Sequence, residues 1–142
     1  MSTNRAQLRA GCKTVIDTVK AANPTLVDHV YSHRPNKVFG KALFIDNTID
    51  QPNILHDAST RRTEMTAFVH VVSKLITNDQ AADEQDALVD IVVDAFTAAP
   101  RAASAQSLIE PIGVTGHEED DGEAHYACSI VAVRGLFAEG RL

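Results

Sequence analysis

Six histidines, two cysteines and one dense acidic run are the residues of this chain whose types could carry chemistry. His29 and His33 stand four apart, and His117 and His125 flank the acidic run. A four-residue spacing brings two imidazoles together only on a helix, and the residues around this pair read as a strand end and a turn. With neither an HExxH segment nor a Cys/His cluster, zinc has no ligand set. Cys12 and Cys128 belong to no CxxC pair; each falls within a regular apolar pattern and suits a small buried thiol. A nucleophile needs a constrained turn with a base beside it, and no GxSxG segment is present. Glu118-Glu119-Asp120-Asp121 is contiguous, whereas a calcium loop alternates its oxygen ligands around a glycine. The seven glycines form no loop that would cradle a phosphate. These residues point to no catalytic group, no metal and no cofactor.

The elements that would position them begin with an amphipathic helix over residues 3–22. Leu8, Cys12, Val15, Ile16 and Val19 recur at three- and four-residue intervals, with Arg5, Arg9, Lys13 and Asp17 off the stripe. Asn23-Pro24 ends it, because proline disfavours a helical residue before it. Thr25 to Tyr31 is a short strand candidate, Arg34-Pro35-Asn36 a turn, and Ala42 to Ile45 a compact apolar strand. Residues 47–60 read as a long connection carrying Ile49, Ile54 and Leu55. Arg61 to Val72 is a long strand with apolar side chains on both faces towards its end. A second helix runs from Asp79 to about Ala98 on the stripe Leu88, Ile91, Val92, Ala95 and Phe96. Asp83, Glu84, Asp86 and Asp90 suit the positive end of its dipole. Ser107 to Thr115 and the alternating run Glu123 to Phe137 flank an acidic tip, Gly116 to Gly122, with an Asp121-Gly122 turn signal. Ile130 and Val131 lie on opposite faces of that last strand, which predicts cover on both sides.

The order predicts an α+β domain. It has a mostly antiparallel sheet of four to five strands, two helices packed on one face and a long C-terminal β-hairpin. Its 142 residues suit one domain, 1–142. The formal charge is −6, and Glu118, Glu119, Asp120, Asp121 and Glu123 supply most of it: without them 13 cations face 14 acids. A nucleic-acid groove needs a basic stripe, which this balance does not provide. No stretch approaches the ~18 apolar residues of a membrane span, and the polar N-terminus lacks a signal-peptide core. A soluble protein held in a reducing cytoplasm until assembly is the expectation.

Two segments are the candidate functional surfaces. Ile49, Ile54 and Leu55 in the 47–60 connection are expected to contact another protein, because large apolar side chains on an exposed loop anchor interfaces. The alternative is that Ile54 and Leu55 tuck back onto their own core. Arg61 and Arg62 at the exit would pair with acids of a neighbouring subunit. Glu118, Glu119, Asp120 and Asp121 would form a solvated hairpin end or line a channel.

The N-terminal helix closing at Asn23-Pro24, the Val27–Tyr31 strand before His33-Arg34-Pro35, and the Ala42–Asp46 strand resemble the tail-terminator proteins of long-tailed bacteriophages. The Met65–Val72 strand, the helix over 79–98 and the alternation through Tyr126, Cys128 and Ile130 continue the likeness over nearly the whole chain. It is a likeness of length, element order and hydrophobic texture, without a diagnostic motif. The resemblance implies a structural virion protein, assembled in the host cytoplasm. It would form a homo-oligomeric ring, usually of six subunits in that family, that caps the tail tube and stops its growth. Its partners would be the major tail tube protein and the head-tail connector, with DNA passing through a central channel without specific binding. Another neck component, a head-completion or connector adaptor protein, is the nearest alternative. A small cytoplasmic α+β enzyme or ligand-binding domain is a more distant one.

Overall fold

The computed structural model describes residues 4–37, 40–56, 60–74, 79–104, 107–120 and 125–141. Within these, the side chains of 50–56, 60–62, 74, 79–82, 117–120, 125–126 and 138–141 are outside the description. The chain runs α1 (Asn4–Ala22), β1 (His29–Tyr31), β2 (Ala42–Ile45), β3 (Asp50–His56), β4 (Thr60–Lys74), α2 (Asp79–Ala98), β5 (Ser107–Asp120) and β6 (His125–Arg141). It is an α+β fold with a mixed sheet and two helices. Five strands follow the order β1-β2-β4-β6-β5, and β3 pairs with β4 off that path. β1 and β2 are parallel; the other described pairs are antiparallel.

Both helices pack on the face bearing Met65, Ala67, Val69 and Val71 of β4 and Val131, Val133 and Phe137 of β6. The apolar stripe of α1 contributes Leu8, Cys12, Val15, Ile16 and Val19, and α2 contributes Leu88, Val92 and Phe96. Period-two strands and period-3.6 helices thus deliver one continuous aliphatic layer. At the end of α1 the Asn23 amide and side chain both donate to the Val19 carbonyl, at 2.9 and 3.0 Å. These bonds satisfy a carbonyl the helix would leave open. Gly11 lets α1 approach the 99–104 segment: a Cβ there would meet Ala103 Cα at 2.7 Å. Gln85 of α2 is buried against the sheet. Its Nε2 donates to the Val71 carbonyl (2.9 Å) and to Ser129 Oγ (3.2 Å), and its Oε1 accepts from Ser73 Oγ (2.7 Å).

Three sequence expectations change. The strand over Thr25–Tyr31 shrinks to His29–Tyr31, because the Leu26 and Val27 amides turn back to the Asn23 carbonyl. The 47–60 connection contains β3, making six strands rather than four to five. In it Ile54 pairs with Thr63, Leu55 with Arg62 and His56 with Arg61. Pro52, which cannot donate to a ladder, falls where the register shifts between Asp50 and Asn53. The acidic tip is also shorter than Gly116–Gly122. β5 continues through Asp120, with Glu118 opposite Ala127, Glu119 opposite Tyr126 and Asp120 opposite His125. Carboxylates are poor strand formers in general, yet an end strand with one side towards solvent carries them at little cost. Asp121 lies outside the described residues.

Candidate functional site

The face of the sheet away from the helices holds a second, much smaller apolar group. Phe44, Val72 and Cys128 are buried there, with Tyr31 and Ile130 partly covering them. The β2–β4 register sets Phe44 opposite His70, and their rings stack at 4.8 Å between centroids and 11° between planes. Just past β2, the Asp46 amide donates to the Phe68 carbonyl (2.8 Å), which holds Asp46 beside His70. Asp46 Oδ2 lies 3.1 Å from His70 Nε2, and Cys128 Sγ lies 3.6 Å from His70 Nδ1. A neutral imidazole with its proton on Nε2 satisfies both contacts, donating to the carboxylate and accepting from the thiol.

Carboxylate, imidazole and thiol in this order resemble the orienter, base and nucleophile of covalent catalysis. Burial decides what the array does here. Cys128 is 2% exposed and His70 5%, so the sulfur faces neighbouring side chains rather than solvent. The array therefore acts as a polar lock between β2, β4 and β6. Burial pushes the Asp46 carboxyl upward, but the Thr48 amide, His70 and Arg34 outweigh it and hold the group below the ordinary aspartate value. Sequence patterning missed this site because Asp46, His70 and Cys128 meet only through strand register. Its one local signal is a histidine in an otherwise apolar stretch of β4.

Further along the same face, Arg134 of β6 lies between Glu110 of β5 and Glu64 of β4. Its Nη2 bonds the Glu110 carboxylate, and its Nη1 is 3.8 Å from Glu64 Oε1. Hydrogen bonding to Glu110 raises the guanidinium pKa further.

β5 itself ends the strand order and is 14 residues long. Pro111 sits opposite Val133 and Gly113 opposite Ala132, so Ile112 is the extra residue of a bulge. Ile112 and Val114 are each 50% exposed, the only large apolar side chains so exposed among the described residues. A long terminal strand with half-exposed apolar residues has the makings of an edge that another chain can pair with or cover.

Of the residues singled out from sequence, Ile49 is 7% exposed and belongs to the helix-side core. It is a packing residue of its own subunit rather than a free anchor. Ile54 and Leu55 lie on β3 and Arg61 and Arg62 on β4; Leu55 stands opposite Arg62, Ile54 opposite Thr63 and Arg61 opposite His56, with the side chains of these four residues outside the description. Glu118, Glu119 and Asp120 lie at the far end of β5, away from the 47–60 segment. The structure does not gather these residues into one site. Neither the protein-family models nor the curated protein sequences give a match to this chain.

Proposed function

We propose that this protein is a structural subunit of a phage tail, forming a ring that caps the tail tube, ends its polymerisation and offers a docking surface to the head connector. The reading begins from the resemblance in element order. The observation that carries it is β5, a 14-residue end strand presenting Ile112 and Val114 to solvent. Such an edge suits pairing with a neighbouring copy, and repeated head-to-tail contact closes a ring when the rotation fits. The subunit works in the virion as a binding partner of itself, the tube protein and the connector, with DNA crossing the lumen unbound. It performs no chemistry of its own.

The test removes the two exposed apolar side chains. Ile112→Ser with Val114→Ser should leave the melting temperature within a few degrees of wild type, since half-exposed surface residues contribute little. The same chain should fail to form rings in light scattering and give overlong tubes or headless tails in electron micrographs of lysates. Normal tails from the double variant would overturn the assignment of this edge. A wild-type chain that stays monomeric both alone and with tail tubes would overturn the ring itself.

A further inference from the structure

β2 and β3 run along the same side of β4 but do not follow it evenly. Ile45 pairs with Val69 and Asp50 with Thr66, so five steps along this edge answer three along β4. The excess falls within 46–49, where the Asn47 carbonyl is held to Arg9 of α1. Between this segment and α1 lies a surface cleft of about 810 Å³. Arg9 braces it: its Nη1 donates to the Ser32 carbonyl (2.7 Å) and its Nη2 to the Asn47 carbonyl (2.9 Å). Arg5 and Lys13, on the flanking turns of α1, line it too, with Ala6, Ala10 and Ile49 supplying apolar wall. Among the described lining residues are three cations and no carboxylate, with Asp46 near enough to Arg9 to act on its charge. Lys13 spends part of its charge on Asp17, an exposed pair at 2.8 Å, which is weak and exchangeable.

Two acidic stretches could complement the cleft in this chain of net charge −6, the carboxylates of α2 and the acids Glu118, Glu119 and Asp120 at the end of β5; the second is the one that continues the strand bearing the exposed Ile112 and Val114. The end of β5 at Asp120 lies far from the cleft of its own subunit. Through the register, Ile45 is level with Val69 and Val131. Val131 stands six residues along β6 from His125, the partner of Asp120. That is roughly 20 Å along the strands, with roughly 14 Å more across three strand spacings from β2 to β5. The acidic end also continues the strand bearing Ile112 and Val114, so one element would present both an apolar and a charged contact.

We infer that the cationic cleft under α1 receives the acidic end of β5 from a second copy of this chain. The contact joins unlike surfaces, so it propagates head to tail and closes only as a ring. It rests on the ring reading above, adds the pairing of surfaces that builds the ring, and takes the acids out of the channel. Charge fixes the orientation and the encounter rate of such a contact.

A charge swap tests it on the full-length chain. One variant carries Arg5→Glu and Lys13→Glu, the other Glu118→Lys, Glu119→Lys and Asp120→Lys. Melting curves check that both remain folded. Sedimentation velocity is run on each at low and high salt, alone and with tail tubes. Each variant by itself should associate at least ~10-fold more weakly than wild type at low salt, because like charges then meet at every contact. An equimolar mixture of the two should recover assembly, since each cleft then finds an opposite partner, and high salt should abolish the recovery. Oligomers that ignore both reversals would overturn the docking and leave the ring standing. Folded variants that fail to recover on mixing would overturn the docking as well. A wild type monomeric in every condition would overturn both.

Discussion

The two faces of the sheet are built by different rules. The helix-side face is a continuous layer in which Leu8, Ile16, Val69, Val92, Phe96 and Val133 are all fully buried. Among the described residues the other face has a small apolar group, Phe44, Val72 and Cys128, with His70 buried beside it, and completes its cover with polar contacts, Asp46–His70–Cys128 and Glu64–Arg134–Glu110. Apolar burial scales with area and tolerates exchange among similar side chains. A hydrogen-bonded polar group instead fixes register, because leaving one buried partner unsatisfied costs more than the bond contributes. One face therefore supplies most of the stability, and the other fixes how β2, β4 and β6 align.

Neighbouring residues of β6 put this contrast to its hardest test. Val131 is fully buried beneath the helices, whereas Ile130 is only partly covered on the other face. Val131→Asp should cost about 4 kcal/mol or more and abolish the folded state, because the charge would lie in a dry aliphatic layer. Ile130→Asp should lower the melting temperature without preventing folding. Equal loss in the two variants, read by thermal melting, would show the second face to be as closed as the first.

A smaller effect separates the faces by pH. Burial pushes the Cys12 thiol, on the helix side, up to about 12 from its ordinary 9.0. The unfolded chain then loses this proton before the folded one does. The Cys12 contribution is complete below pH 9 and drains away between about 9 and about 12. Asp46, on the second face, has the opposite sign. Its folded carboxyl holds a proton less tightly than the unfolded one. Its contribution is present above the ordinary aspartate value of about 4 and fades as acid passes through the lower folded value. Cys12→Ala should flatten the alkaline limb of a stability–pH curve and Asp46→Asn the acid limb. Either variant altering the other's limb would break the assignment.

The mildest difference is in thiol access. Cys12 and Cys128 are both free and buried, but Cys128 lies under a thin cover that local opening can breach. In native buffer Cys128 should be alkylated ahead of Cys12, whose labelling should track global unfolding. The reverse order, read by mass spectrometry of the labelled peptides, would mean the helix-side layer is the looser one.

Much of the fold was legible from local pattern. The 3–22 and 79–98 stripes became Asn4–Ala22 and Asp79–Ala98, and the Ala42–Ile45 strand matches to the residue. Those signals are strong because periodicity repeats over many residues. β3 escaped because Asp50-Gln51-Pro52-Asn53 has turn-like composition, and only its ladder with β4 satisfies that backbone as a strand. The continuation of β5 through Glu118–Asp120 escaped for the same reason.

By itself, then, the sequence determined which residues form the helices and the main strands, which stripes face a core, and that the acids concentrate in one segment. Each of these follows from side-chain type and spacing within a few residues. Tertiary structure alone decided that Ile49 is core, that Asp46, His70 and Cys128 share hydrogen bonds, and that five residues of one edge answer three of β4 to open a cleft under Arg5, Arg9 and Lys13. These depend on register between strands distant in sequence. A shift of one residue exchanges the faces of a strand, so no local pattern can settle them.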